Sequence, residues 1–150
     1  MRSTGVLALR ACVALLLPLL GCGGGTATTP LPPADTQPPT FSAAEVSPSQ
    51  IPFSGGTVTI TARVADASGV SRVWAEVTMP GFLGTTLELA STEGGNWSAQ
   101  WTVPPNRDPT APATYTLVLR ARDVHENVAV AESLSLQVLA APAPPAAPVF

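Results

Sequence analysis

The chain has 150 residues, with 7 basic and 10 acidic side chains and a formal net charge of −3. Nucleic acids and anionic lipid surfaces both attract clustered basic side chains, so this balance argues against a nucleic-acid partner and against charge-driven membrane binding. The only two cysteines lie within the first 22 residues. A domain downstream of them must therefore rest on its hydrophobic core rather than on disulfides.

The first 21 residues predict a secretory signal peptide that is cleaved. Arg2 and Arg10 form a basic start, and the apolar run ACVALLLPLL follows at residues 11–20. A membrane-spanning helix needs roughly 20 apolar residues. This run is too short to be a permanent span.

A cysteine follows the apolar run directly. Leu19, Leu20, Gly21 and Cys22 resemble the lipobox of bacterial lipoproteins. The resemblance implies that Cys22 carries a covalent diacylglycerol, that cleavage occurs just before it, and that a further acyl chain such as palmitate caps the new amino terminus. It also implies a lipid anchor in the cell envelope, and Gly23 after the cysteine favours the outer membrane. The alternative is a cysteine inside an uncleaved signal.

Two segments without apolar periodicity predict disordered tails. Residues 22–39 begin with the lipidated cysteine and continue as a glycine-rich and then proline-rich tether. Residues 140–150 form a second tail rich in proline and alanine. A folded domain is therefore expected over residues 40–139.

Between the tails, apolar residues alternate with a period of two, which predicts β-strands. An edge strand is expected around residues 43–46. The inward positions of the next six strands are Val58, Ile60, Ala62 and Val64; Val73, Ala75 and Val77; Leu87 and Leu89; Trp97, Ala99, Trp101 and Val103; Tyr115, Leu117, Leu119 and Ala121; and Leu134, Leu136 and Val138. Seven short strands separated by turn signals, without a helical run, predict an all-β sandwich.

Several of these positions resemble bacterial immunoglobulin-like and fibronectin-III-like modules of cell-surface proteins. The resemblance rests on the sequence DASGV at residues 66–70, on Trp97, on Tyr115, and on the sequence ARD at residues 121–123 before a loop that ends in Asn127. It implies a single seven-stranded Ig-like β-sandwich over about residues 39–139.

The sequence does not predict an enzyme, because it offers no evident pair of nucleophile and base. The single histidine, His125, lies in a predicted hairpin loop beside Asp123 and Glu126. Three polar residues so close in a loop are more typical of a solvated turn than of a catalytic or transition-metal site. Glu126 also stands where the resembled modules often have glycine.

Asp66 and Asp123 are weak calcium candidates. Each follows or ends a predicted strand, and calcium prefers oxygen ligands. The alternative is that each carboxylate accepts hydrogen bonds from turn amides, as in an Asx-turn. Few other acids lie nearby, so the turn is favoured and no metal or other cofactor is expected beyond the lipid.

Trp74, Phe82 and Leu83 are the candidate partner contacts. Trp74 shares a polar strand face with Arg72 and Glu76. The alternative is that Arg72 or a returning tail covers the tryptophan side chain. Phe82 and Leu83 lie at a predicted hairpin tip, unless both fold back over the sandwich. The sequence predicts a module that binds or scaffolds an envelope protein or glycan; the alternative is a passive spacer or an assembly subunit of an envelope complex.

Overall fold

The computed structural model describes residues 33–81, 83–143 and 145. The predicted signal peptide, Cys22, Phe82 and most of the predicted tails lie outside the described residues. Within the described part there are nine strands, a short 3-10 turn at Glu93–Gly95 and no α-helix. The strands are β1 (Thr40–Ser47), β2 (Gln50–Ile51), β3 (Gly56–Ala65), β4 (Val70–Thr78), β5 (Thr85–Glu88), β6 (Ala90–Ser91), β7 (Asn96–Val103), β8 (Ala113–Asp123) and β9 (Val128–Val138).

The strands form two sheets. One has the order β1-β3-β7-β6 and the other the order β2-β9-β8-β4-β5. All pairs are antiparallel except β2 with β9. One of the seven predicted strands is divided between the sheets, because the short strand predicted at residues 87–89 becomes β5 and β6. The predicted edge strand is β1, and the bend predicted after it contains an additional short strand, β2, which joins the other sheet. These two differences raise the number from seven to nine.

The inner faces of the two sheets enclose the core, as the alternation predicted. The buried apolar residues are Val46, Ile51, Val58, Ile60, Ala62, Val64, Val73, Ala75, Val77, Leu89, Trp101, Val103, Tyr115, Leu117, Leu119, Ala121, Leu136 and Val138. Full burial of one large apolar side chain contributes about 1.5–3 kcal/mol. The prediction of an all-β, Ig-like sandwich is confirmed.

Four of the predicted inward residues are only half-buried. Leu87, Trp97, Ala99 and Leu134 pack against the core without being enclosed by it. Trp97 was predicted to be a core residue; it faces the core as predicted but is less buried than expected. Alternation along a strand fixes the face of a side chain. For Trp97, the second residue of β7, coverage also depends on the adjoining turn at Glu93–Gly95.

The registers define two ends of the sandwich. At the first, the entry end, the entry segment (residues 33–39) meets the turns at residues 66–69 and 124–127. At the second, the tip end, lie the β4–β5 hairpin loop at residues 79–84, named the tip loop, and the loop at residues 104–112. The candidate residues divide between these two ends and one outer sheet face.

Candidate functional site

The tip loop holds its apolar side chain away from the protein. Leu83 is 104 % exposed, so it does not fold back over the sandwich. Gly81 and Gly84 have φ values of 78° and 73°, a conformation that glycine adopts without steric cost. The two glycines thus allow the sharp turn that projects Leu83 into solvent. Its neighbour Phe82 lies outside the described residues.

Further apolar surface lies at the tip end. Phe53 and Leu139 are each 42 % exposed. The Asn106 backbone N–H donates to the carbonyl oxygen of Phe53 at 2.8 Å. The backbone N–H of Leu139 donates to the carbonyl oxygen of Ile51 at 3.0 Å. The backbone at Phe53 and the backbone at Leu139 are therefore each fixed by a hydrogen bond.

Asn106 organises the loop at this end, and the sequence analysis did not identify it. Its side-chain amide donates to the carbonyl oxygens of Ala111 at 2.9 Å and Leu139 at 3.1 Å. Its side-chain oxygen accepts from the backbone N–H of Asp108 at 3.0 Å. The sequence PPNRDPT contains the available signal, because an asparagine between prolines favours an Asx-turn.

Trp74 lies on the outer face of the five-stranded sheet, between Glu88 and Arg120 of the neighbouring strands. The guanidinium of Arg72 stacks over its ring at 4.5 Å from the centroid. The indole N–H donates to Glu76 Oε1 at 3.3 Å. Trp74 is half-buried in this arrangement, so one face of the candidate contact is already covered by Arg72.

Arginine and glutamate side chains balance one another on this face. Arg72 makes two hydrogen bonds to Glu88, one of them from Nε to Oε2 at 3.0 Å, and they lower the pKa of the Glu88 carboxyl. Arg120 Nε lies 3.0 Å from Glu76 Oε1, an ion pair whose angle does not make it a hydrogen bond. Exposed pairs of this kind contribute about 0–1 kcal/mol each.

At the entry end, Asp66 has the geometry of the Asx-turn alternative. Its Oδ1 accepts hydrogen bonds from the backbone N–H of Ser68 at 2.8 Å and of Gly69 at 3.1 Å. The Ser68 hydroxyl donates to the same oxygen at 2.6 Å. These bonds account for the aspartate without calcium, and binding of calcium here stays an untested candidate.

Asp123 is fully buried at the end of β8. Its Oδ1 accepts from the backbone N–H groups of His125 and Asn127, both at 2.8 Å. Its Oδ2 accepts from the Asn127 side-chain amide at 2.7 Å. Burial raises the pKa of Asp123, but these hydrogen bonds and the nearby His125 outweigh burial and hold the pKa below its ordinary value. The carboxylate thus fixes the β8–β9 turn.

The entry segment contacts this turn. Asn127 Nδ2 donates to the carbonyl oxygen of Asp35 at 3.1 Å. Asp35, Asp123 and His125 each place one potential ligand atom within 4.8 Å of the others. Asp66, the second calcium candidate, is not part of this group, so the two candidate aspartates do not form a common site.

Glu126 adopts the conformation that glycine would take. Its φ is 71°, and its carboxylate accepts a hydrogen bond from Arg122 NH1 at 2.6 Å. A left-handed conformation costs a non-glycine residue roughly 1–2 kcal/mol. The β8–β9 turn is therefore held with backbone strain at Glu126.

An open cleft of ≈ 440 Å³ lies beside Trp97 at the entry end. Arg63, Asp66, Ser91 and the two glycines of the 3-10 turn also line it. Gly95 has a φ of 76°, and a Cβ atom there would lie 2.9 Å from the carbonyl oxygen of Val64. The turn therefore requires glycine, which leaves no side chain to cover Trp97 from that direction.

Residues 42–119 match the bacterial Ig domain family. The chain belongs to this family. Within the described residues, this bacterial Ig domain protein has no helix long and apolar enough to cross a membrane. Comparison with curated protein sequences gives no significant match.

Two solved structures are similar to parts of the bacterial Ig domain protein. A cycloalternan-degrading enzyme from Trueperella pyogenes is 20% identical, with a TM-score of 0.43 over 57% of this chain and 11% of that one. An engineered protein is 25% identical, with a TM-score of 0.42 over 66% of this chain and 20% of that one. The chain thus spans a small part of each.

Proposed function

We propose that this protein is a lipid-anchored module of the bacterial cell envelope that binds or scaffolds an envelope protein or glycan through its tip end. Membership of the bacterial Ig domain family supports a surface or extracellular module. The observation that carries the proposal is Leu83, which is fully exposed in a sharp turn that two glycines allow. A large apolar side chain kept in water forgoes about 1.5–3 kcal/mol that burial would contribute.

The position of the tip loop supports the same proposal. The chain enters the module at the end where Asp35 meets Asn127, whereas Leu83 lies at the opposite end. The segment that leads from the predicted anchor on Cys22 therefore joins the module at the end opposite the tip loop. We place Phe82 and Leu83 at the centre of the contact, with Trp74 contributing only if Arg72 moves off its ring.

We also propose that the module has no catalytic role. The carboxylate of Asp123, beside the single histidine, is engaged by three hydrogen bonds that fix a turn. Acting as a proton acceptor would compete with those bonds.

The anchor is tested by Cys22→Ser. We expect the variant either to be released from the membrane fraction or to accumulate as an uncut precursor, because the thiol that carries the lipid is gone. Detergent partition and intact mass measure this. A variant with the partition and mass of the wild type contradicts the anchor. In a Gram-negative cell we expect the wild type in the outer membrane.

Binding is tested with a photo-crosslinking residue at position 82 and a matched probe at Thr59, an outward position of β3 in the other sheet. We expect specific adducts from position 82 and none from position 59. A passive spacer, the alternative, is supported by entry and exit of the chain at opposite ends. It predicts no specific adduct from either position, and that result contradicts the binding proposal.

A further inference from the structure

Two carboxylates and an imidazole meet at the entry end, in a group named the entry cluster: Asp35, Asp123 and His125. Asp35 belongs to the entry segment, whereas Asp123 ends β8 and His125 lies in the turn that follows it. Each residue offers one potential ligand atom, and these atoms all lie within 4.8 Å of one another. The sequence analysis expected no metal here, because nothing in the sequence brings Asp35 to the loop of His125.

The side chains of the entry cluster converge without bonding to one another. Asp123 Oδ2 accepts one hydrogen bond, from Asn127 Nδ2 at 2.7 Å, and a carboxylate oxygen can accept two. Asp35 Oδ1 accepts from the backbone N–H of Gln37 at 2.9 Å, so its Oδ2 remains as an acceptor among the described residues. In the described part of the chain, no hydrogen bond or ion pair joins the His125 ring to either carboxylate.

The spacing of the ligand atoms suits a metal ion placed between them. Zinc binds carboxylate oxygen and imidazole nitrogen at about 2.0–2.2 Å, so two of its ligand atoms lie about 3.4 Å apart in a tetrahedral site. His125 is exposed, and rotation of its side chain can bring the ring to that separation. Only one of the three ligands therefore has to move.

The charges of the entry cluster also favour a divalent cation. No arginine forms an ion pair with Asp35 or Asp123 among the residues that the structure describes. Asp123 is fully buried, where a charge is costly unless it is compensated. One divalent cation would balance both carboxylates, with His125 bound as a neutral imidazole.

We propose that Asp35, Asp123 and His125 bind a zinc ion between the entry segment and the β8–β9 turn. Imidazole nitrogen and carboxylate oxygen are typical zinc ligands, whereas calcium takes about six to eight oxygen ligands, more than this group supplies. Three protein ligands leave the fourth tetrahedral position to water. The ion would fasten the entry segment to the module, beside the hydrogen bond from Asn127 Nδ2 to the carbonyl oxygen of Asp35.

This inference goes beyond the proposed function, because it needs neither the lipid anchor nor the tip loop. Adducts from position 82 and zinc binding at His125 are measured at opposite ends of the module. Either result can therefore fail while the other holds.

The test follows the ring nitrogens of His125 in the ¹⁵N-labelled full chain, prepared in detergent without a histidine tag. The chain has a single histidine, so its imidazole gives one set of resonances. We expect zinc chloride to shift these resonances saturably, with a Kd below about 100 μM. Calcium chloride at about 1 mM should produce no saturable shift, because imidazole is not a calcium ligand.

Asp35→Asn removes one ligand charge and keeps an acceptor for the backbone N–H of Gln37. We expect it to weaken zinc binding at His125 by at least about tenfold. Asp66→Asn is the matched control, because Asp66 fixes another turn at the same end and lies outside the entry cluster. It should leave zinc binding unchanged. Backbone amide spectra that match the wild type show that both variants are folded.

Three results would overturn the proposal. The first is a His125 ring that zinc chloride does not shift saturably below about 100 μM. The second is equal zinc binding by Asp35→Asn and Asp66→Asn, which would place the ion elsewhere. The third is calcium binding as tight as zinc binding, which would show a site made of oxygen ligands without the imidazole.

Discussion

Trp97 and Trp101 lie on the same face of β7, four residues apart, and the two halves of the sandwich treat them differently. Trp101 is 9 % exposed and meets Tyr115 edge-on, with ring centroids 5.1 Å apart at 86°. Trp97 is half-buried and borders an open cleft. Two tryptophans on the same inward face of β7 thus differ in burial: Trp101, toward the tip end, is enclosed, and Trp97, at the entry end, is partly exposed.

The entry end is therefore stabilised by interactions other than burial of apolar side chains. Its turns are held by the carboxylates of Asp66 and Asp123, which accept bonds from backbone amides. Hydrogen bonds to a charged group contribute about 1.5–3 kcal/mol each. These bonds keep the turns in place while a glycine-rich segment leaves Trp97 uncovered.

The largest effect is expected at the enclosed tryptophan. Trp101→Ala should lower the free energy of unfolding by about 3–5 kcal/mol, because it empties a packed site and removes the contact with Tyr115. Trp97→Ala should cost only about 1–2 kcal/mol, since much of its surface is already in water. Urea denaturation of both variants measures this. If Trp97→Ala lost as much free energy of unfolding as Trp101→Ala, or more, the two ends would not differ in how far they enclose their tryptophans.

The buried carboxylate gives the next effect. Asp123→Ala should cost about 2–3 kcal/mol, because two backbone N–H groups and the Asn127 amide lose their acceptor. Asp66→Ala, at the less buried turn of the same end, is the matched variant and should cost less. Thermal and urea unfolding measure both. A loss below that of Asp66→Ala would show that the Asp123 bonds do not secure the entry end.

Acid should weaken the entry end through the same group. The pKa of Asp123 in the folded protein lies below its ordinary value. Its contribution to stability is therefore complete above the unfolded pKa of about 3.9 and is lost as the pH falls through the folded pKa. Urea midpoints between about pH 5 and pH 2 should fall more steeply for the wild type than for Asp123→Asn. Parallel curves would exclude this carboxylate as a source of acid sensitivity.

The smallest effect is expected at Glu126. Glu126→Gly removes the strain of a positive φ but also the bond to Arg122, so it should stabilise the protein by about 0.5 kcal/mol. Glu126→Ala keeps the strain and loses the bond, and it should be slightly destabilising. The melting temperatures of the two variants should therefore move in opposite directions. A loss of stability in Glu126→Gly would show that the ion pair outweighs the strain.

Strand alternation was sufficient to predict the sandwich and most of its core, since a period of two fixes which side chains face inward. It predicted neither the short strand Gln50–Ile51 nor the division of the strand at residues 87–89 between the sheets, because both depend on tertiary pairing of very short segments. The exposure of Trp97 was missed for a similar reason, as it depends on glycines in a neighbouring turn. At the candidate site, Leu83 was identified from its loop. The local turn of Asn106 was signalled by the sequence PPNRDPT, whereas its bond to Leu139 could not be predicted, because that partner is distant in sequence.

The central claim is that the tip loop presents Leu83 to a partner and does not serve the fold. Leu83→Asp, combined with the crosslinking residue at position 82, tests it most directly. We expect the melting temperature to stay within about 1 °C of the wild type, because the Leu83 side chain is fully exposed to solvent. The yield of specific adducts should fall to the level found at position 59. Unchanged adducts at position 82, or a melting temperature lower by several degrees, would contradict the claim.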